Sequence, residues 1–138
     1  MTKTITKKEL LAMPADDYMN DVQIAYFKGI LEQQKSEILA DMENVKKELI
    51  GSEQNADMND VASTYESQQL ELKRVDREHK LLNKINKSLS NIINGEYGYC
   101  EVTGDEIGIK RMIARPTAAM TIDAKERQEF KEKMVGAN

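Results

Sequence analysis

Two apolar stripes, each too long for a compact domain and too thin to face a broad core, constrain this chain more than any other feature. From Asp21 to about Gly51, Phe27, Leu31, Ile38, Met42, Val45 and Leu49 recur at steps of three, four or seven, with Gln34 interrupting the series. A second series runs between Val61 and Ile93 through Leu72, Val75, Leu82, Ile85, Leu89 and Ile92. Lys, Glu and Gln fill most intervening positions, and a seam that narrow packs on one partner helix. The polar stretch GSEQNADMND, Gly51 to Asp60, separates the two runs. Gly51 is placed to end the first helix. Asp60, or Ser63 with Glu66 three residues on, is placed to open the second. The expected product is a long antiparallel hairpin. With about 30 residues per helix at ~1.5 Å rise, it would be roughly 40–45 Å long.

Composition agrees with long helices that have wide solvated faces. Charged residues make up 32% of the chain and aromatics 5%, with no tryptophan, a balance ill suited to an ordinary α/β domain. The net charge of −4 argues against nonspecific DNA binding as the main activity, since phosphate neutralisation needs a basic excess. A single cysteine permits no internal disulfide. The start of the sequence lacks the apolar core of a signal peptide, and no apolar run approaches ~18 residues. A cytoplasmic protein that does not span a membrane is therefore expected. No nucleophile–base pair, phosphate loop or metal constellation marks an enzyme.

The flanks of the hairpin complete the organisation. Residues 1–20, an N-terminal segment expected to pack with the globular part, contain Pro14 and the pair Asp16 and Asp17, placed to start a helix. Residues 21–93 are the hairpin, with its tip at 51–62, and residues 94–138 are the globular part. Asn94-Gly95 breaks the second helix. Extended pieces at Tyr97–Val102 and Glu106–Ile109 flank a tight turn at Thr103-Gly104-Asp105. Arg115-Pro116 ends any helix before it, and Thr121 to about Met134 reads as a final helix, started near Thr121 or Asp123. The fold class is mainly α: a coiled-coil hairpin, a small globular domain with a degenerate zinc-ribbon-like segment, and a C-terminal helix.

That ribbon layout lacks its metal ligands. The four places would be Cys100 with Thr103 and Thr121 with Ala124, and only the first offers a usual zinc ligand. The sole histidine, His79, is alone in the second hairpin helix. No zinc is expected. Hydrogen bonds from Thr103 and Thr121, with packing of Tyr97, Tyr99, Ile107 and Met120, must then hold the segment.

The segment GEYGYCEVTGDEIGIKRMIARPTA, with G-x-[FY]-G-Y-C, E-I-G-I-[KR]-R and A-R-P-T-A in order, resembles the DksA/TraR family of bacterial transcription factors. LELKRVDREHKLLNKINKSL resembles the family's second coiled-coil helix, YMNDVQIAYFKGIL the approach to the first, and Asp57 to Ala62 the family's D-x-x-D-x-A tip. The absent cysteines make the chain similar to the cysteine-poor, zinc-independent members. The resemblance implies a monomeric regulator that binds no DNA sequence-specifically, inserts its coiled coil into the secondary channel of RNA polymerase and alters open-complex stability. It would act with guanosine tetraphosphate (ppGpp) on ribosomal RNA and amino-acid biosynthesis promoters, with no cofactor held stably.

Site residues follow from the same resemblance. Asp57, Asp60 and Ala62 form the tip. Lys84, Arg115 and Lys125 match a ppGpp pocket, a role suited to cationic phosphate donors. Arg77 and Arg111 match polymerase contacts. Each also has a plainer reading: aspartates at a hairpin turn cap the next helix, and lysines and arginines populate any solvated face. Two other functions fit an acidic-tipped hairpin. A Gre-like transcript-cleavage factor would carry a different globular domain, and a coiled-coil scaffold would pair its helices between chains.

Overall fold

The computed structural model describes residues 5–14, 17–55 and 61–136, and the side chains of 52–62 lie outside that set. Among the described residues five helices follow in order: α1 Lys7–Leu11, α2 Asp21–Asn55, α3 Val61–Asn94, α4 Ile109–Ala114 and α5 Ile122–Gly136. The chain is mainly helical, with no strand among the described residues. It divides into two compact units, residues 32–86 and residues 1–31 with 87–138. They are called here the paired-helix unit and the terminal unit.

In the paired-helix unit the two stripes do what their spacing dictates. Ile38 and Val45 of α2 and Ile85 of α3 are buried, while Met42, Leu49, Val75 and Leu82 are half-buried. Full burial of a side chain such as Ile85 contributes roughly 1.5–3 kcal/mol. Leu72 departs from expectation and remains 50% exposed. A polar clamp fixes the pairing: Arg74 of α3 bonds both carboxylate oxygens of Asp41 on α2. Arg74 also reaches Glu71 and Glu78, each at 3.5 Å. Glu78 Oε2 is buried with no donor to receive, and a hydrogen bond of the carboxyl toward Asp41 favours its protonated form. That hydrogen bond, then burial, raises the Glu78 carboxyl above the usual carboxylate range. The same bond, aided by Arg74, holds Asp41 below it.

The helix ends differ from sequence expectation in instructive ways. Gly51 is helical, and α2 continues to Asn55. One glycine in an exposed helix costs only about 1 kcal/mol relative to alanine, too little to stop a helix that its neighbours continue. Ser63 falls inside α3, which begins at Val61; Asp60 lies outside the described residues. Neither member of the acidic pair opens α2. Asp16 lies outside the described residues, and Asp17 sits in a turn whose N–H bonds Pro14 O at 3.1 Å. The start of α2 is capped instead by Asn20, whose Oδ1 accepts from Gln23 N at 2.9 Å. Gln23 Oε1 reaches back to Met19 N at 2.6 Å. That is a near relative of the capping box, and it holds Met19 at φ 54.

Gly95 ends α3 as expected. Its φ is 75, Gly95 N bonds Ile92 O at 3.3 Å and Glu96 N bonds Asn91 O at 2.8 Å. Those are the paired bonds of a Schellman motif, which needs a left-handed residue. Beyond it, the two expected extended pieces shrink to one antiparallel bridge, Tyr99 with Glu106. Two short helices without a sequence period appear: α1, capped by Thr6 Oγ1 on Glu9 N at 3.2 Å, and α4. They contact each other and contribute buried Leu10 and Met112. α4 stops at Arg115, whose φ −142 and ψ 88 are the extended geometry that a following proline imposes. Thr121 Oγ1 caps α5 through Ala124 N at 3.2 Å, and that helix runs to Gly136.

The clamp makes a pH-dependent prediction. The Glu78 proton stabilises the fold fully below the ordinary carboxylate pKa, and that contribution is lost as pH rises through the raised value of Glu78. A Glu78→Gln side chain keeps a donor toward Asp41 at every pH. The variant should melt higher than the parent at neutral pH, with the two curves converging near about pH 4. Calorimetry across that range tests it; equal melting at neutral pH would remove the hydrogen bond between Glu78 and Asp41.

Candidate functional site

The ribbon segment of the terminal unit brings its four ligand-like corners into use without a metal. Backbone bonds close the loop first: Cys100 N to Asp105 O at 2.7 Å, Gly104 N to Cys100 O at 2.9 Å and Ile107 N to Gly98 O at 2.8 Å. A further bond, Glu101 N to Ala119 O at 2.9 Å, joins the loop to the approach to α5. The thiol of Cys100 is 3% exposed. Burial pushes it up, but the Thr103 hydroxyl and the backbone N–H groups of Thr121, Thr103 and Val102 point at the sulfur and win. The thiol is lowered to about 7.

The residues do not fit zinc. Thr121 Oγ1 is occupied by Ala124 N, Thr103 Oγ1 accepts from Asp105 N at 3.3 Å, and Ala124 offers a buried methyl. One thiolate is no tetrahedral set. Among the described residues no three of His, Cys, Asp and Glu gather as a metal cluster.

Aromatic residues supply the rest of the support. Tyr97, 2% exposed, packs on Phe27 of α2 with ring centroids 5.6 Å apart and donates to Pro116 O at 2.8 Å. Its hydroxyl thereby ties the Arg115-Pro116 segment to the ribbon. Burial, and secondarily the Tyr18 phenol, keep Tyr97 protonated well above the usual tyrosine range. Sequence reading missed Tyr18. Its hydroxyl donates to Gly98 O at 2.6 Å and accepts from Gly108 N at 2.9 Å, and its ring meets Tyr99 edge-on at 5.6 Å. Gly98 has φ +89, and a Cβ there would lie 2.6 Å from Met19 Cε and 3.0 Å from the Tyr18 hydroxyl. Of the expected packing residues, Tyr99 remains 37% exposed, and Ile107 and Met120 are half-buried.

The cationic candidates fall in both units. Lys84 is exposed on α3 in the paired-helix unit; in the terminal unit Arg115 is exposed after α4, and Lys125 is half-buried in the first turn of α5. None of the three forms an ion pair among the described residues, whereas nearby Lys87 is engaged by Glu101 at 2.8 Å. Arg77 is exposed on α3, beside Lys73 and Asp76 in a shallow surface depression. Arg111 on α4 is half-buried, and its Nε is buried without a hydrogen-bond partner. Asp57 and Asp60 lie outside the described residues. Ala62 falls in the first turn of α3, its side chain outside the described set.

Comparison with known proteins extends these observations along the whole chain. Residues 23–92 match the family model of the DnaK suppressor protein DksA, N-terminal domain. Residues 95–130 match that of the prokaryotic dksA/traR C4-type zinc finger. The chain is 40% identical over 139 aligned residues to the RNA polymerase-binding transcription factor DksA of Caulobacter vibrioides, covering 96% of each. It is 39% identical to the factor of the same name from Escherichia coli, covering 88% of this chain and 82% of that one. Among solved structures, the transcription factor DksA2 from Pseudomonas aeruginosa superposes with a TM-score of 0.85 at 41% identity, covering 93% of this chain and 99% of that one.

The converging donors at Cys100 set a pH test. Because the folded thiol ionises below its unfolded value of about 8.5–9, the thiolate stabilises the fold above that value. The contribution is lost as pH falls through about 7. Thiolate absorbance should titrate near pH 7 and shift upward in Thr103→Ala. Cys100→Ala should flatten the rise in stability between pH 7 and 9. A midpoint at the ordinary thiol value would mean that the donors do not reach the sulfur.

Proposed function

Because the chain belongs to the DksA/TraR family, we propose that it is an RNA polymerase-binding transcription regulator that places its coiled coil in the enzyme's secondary channel. The observation that carries this reading is the length of the match: named polymerase-binding factors align with 96% of the chain, hairpin and ribbon together. The match of residues 95–130 to the dksA/traR finger favours this reading over a Gre-like cleavage factor, whose globular domain differs. In this role the protein works as a cytoplasmic monomer and catalyses nothing itself. Its organisation follows the sequence segments, with residues 1–20 supporting the globular part, 21–93 forming the arm and 94–138 the ribbon and last helix.

Asp57, Asp60 and Ala62 are the effector tip: two carboxylates act near the polymerase catalytic centre, and a small side chain permits close approach. Lys84, Arg115 and Lys125 supply phosphate-binding cations for ppGpp at the polymerase interface. Their freedom from ion pairs among the described residues supports that assignment, since a committed cation has to lose one partner to gain another. Arg77 and Arg111 contact polymerase, and the exposure of Arg77 on α3 leaves its guanidinium accessible to a partner. Zinc has no part, consistent with a corner built from hydrogen bonds.

The lifetime of open complexes at a ribosomal RNA promoter tests the reading, measured with cognate polymerase and a zinc chelator, with and without ppGpp. The protein should shorten the lifetime despite the chelator, and ppGpp should deepen the effect. Asp60→Asn should bind polymerase like the parent yet fail to shorten the lifetime, and Lys125→Ala should blunt the ppGpp-dependent part selectively. An unchanged lifetime despite polymerase binding would overturn the proposal, and transcript cleavage in backtracked complexes would then support the Gre-like alternative.

A further inference from the structure

Helix α2 carries a second series with coiled-coil spacing immediately beside its seam. The inner series Ile38, Met42, Val45 and Leu49 steps by four, three and four toward α3. One residue on, Leu39, Glu43, Lys46 and Ile50 repeat the same steps. This outer series faces solvent: Leu39 is 47% and Ile50 49% exposed, and Glu43 and Lys46 are exposed between them. All four line one side of an apolar groove of about 550 Å³, with half-exposed Leu72 of α3 on the other. The groove lies wholly within the paired-helix unit.

The order of the outer series identifies its occupant. It reads apolar, acid, base, apolar. A twofold axis passing α2 between Asn44 and Val45 sets Leu39 opposite Ile50 of a second copy and Glu43 opposite Lys46. Symmetry then repeats both matches. An acid–acid or base–base centre would place like charges face to face, which disfavours pairing. The stripe is therefore complementary to itself in charge as well as in hydropathy.

We propose that the outer face of α2 is a self-association surface on which two copies of this chain pair antiparallel. The stripe spans only about 17 Å at ~1.5 Å per residue, so the contact falls below the ~1,200 Å² typical of stable interfaces. The association is weak and reversible, and it fills with protein concentration. It coexists with a monomeric working form, and its existence does not depend on the polymerase-binding reading.

Sedimentation equilibrium of the full chain, from low micromolar to millimolar concentration at low salt, measures the association. The parent should show a monomer–dimer equilibrium. Glu43→Lys and Lys46→Glu should each weaken the dimer at least about tenfold, by setting like charges opposite each other. An equimolar mixture of the two variants should restore association as a heterodimer, because each lysine then meets a glutamate. The double swap in one chain should dimerise like the parent, and circular dichroism should show unchanged helix in all variants, since both side chains are exposed. A parent that stays monomeric to millimolar concentration, single variants that associate like the parent, or a mixture without recovery would each overturn the proposal.

Discussion

The sulfur of Cys100 is where the terminal unit resolves its main physical problem. A ribbon of this layout has too little regular structure to hold itself: its extended part is one bridge, Tyr99 with Glu106. In a metal site the cation supplies the missing cohesion by drawing four ligands to one point. Here the arrangement is inverted, with donors from Thr103, Thr121 and Val102 drawn to one buried anion. The same convergence is reached with the charge reversed at its centre. This corner is therefore sensitive to the ionisation of one thiol, which is lowered to about 7.

One corner cannot orient the whole segment, and Tyr18 provides a second anchor. Its hydroxyl joins Gly98 and Gly108, so it binds both arms of the bridged loop. Gly98 has to be glycine for two independent reasons, its left-handed φ and the proximity of Met19 and Tyr18. Met19 is itself held at positive φ by Gln23. The cap of α2, the turn before it and the floor of the ribbon are therefore one connected device. Disturbing the start of the long helix would be felt at the ribbon through side chains alone.

Sequence made the long elements plain and the short ones invisible, for a physical reason. Phe27, Ile38, Val45 and Ile85 announce α2 and α3 because a narrow stripe repeated over many turns has no other geometric solution. α1 and α4 are too short to show a period, and only packing on each other makes them helical. Gly51 misled because a single glycine is a weak stop signal, whereas Gly95 stopped α3 because the residues after it complete the Schellman bonds. Asn20 with Gln23 was a readable cap, obscured by the more conspicuous Asp16 and Asp17. Tyr18 could not have been found locally, since its partners lie 80 and 90 residues away. The zinc-like corners were legible in sequence because Cys100–Thr103 and Thr121–Ala124 each keep a C-x-x-C spacing. The cationic candidates carried no such geometric mark and came only from family resemblance.

A ribbon with one cysteine is held at its corners by hydrogen bonds. In the proposed role the ribbon coordinates nothing. It has to hold Arg115 and Lys125 at fixed points. Arg115 is fixed by the proline after it and by its N–H on Arg111 O at 2.8 Å, and Tyr97 secures that proline's carbonyl. Lys125 is fixed by the Thr121 cap, through Lys125 N on Thr121 O at 3.0 Å. Both placements rest on backbone geometry next to the old ligand corners, and neither needs the cation. A threonine at a former ligand position is well suited to this, because its hydroxyl can start a helix or donate to a thiolate. Threonine at two of these corners ties the ribbon turn and the start of α5 to their neighbours through hydrogen bonds.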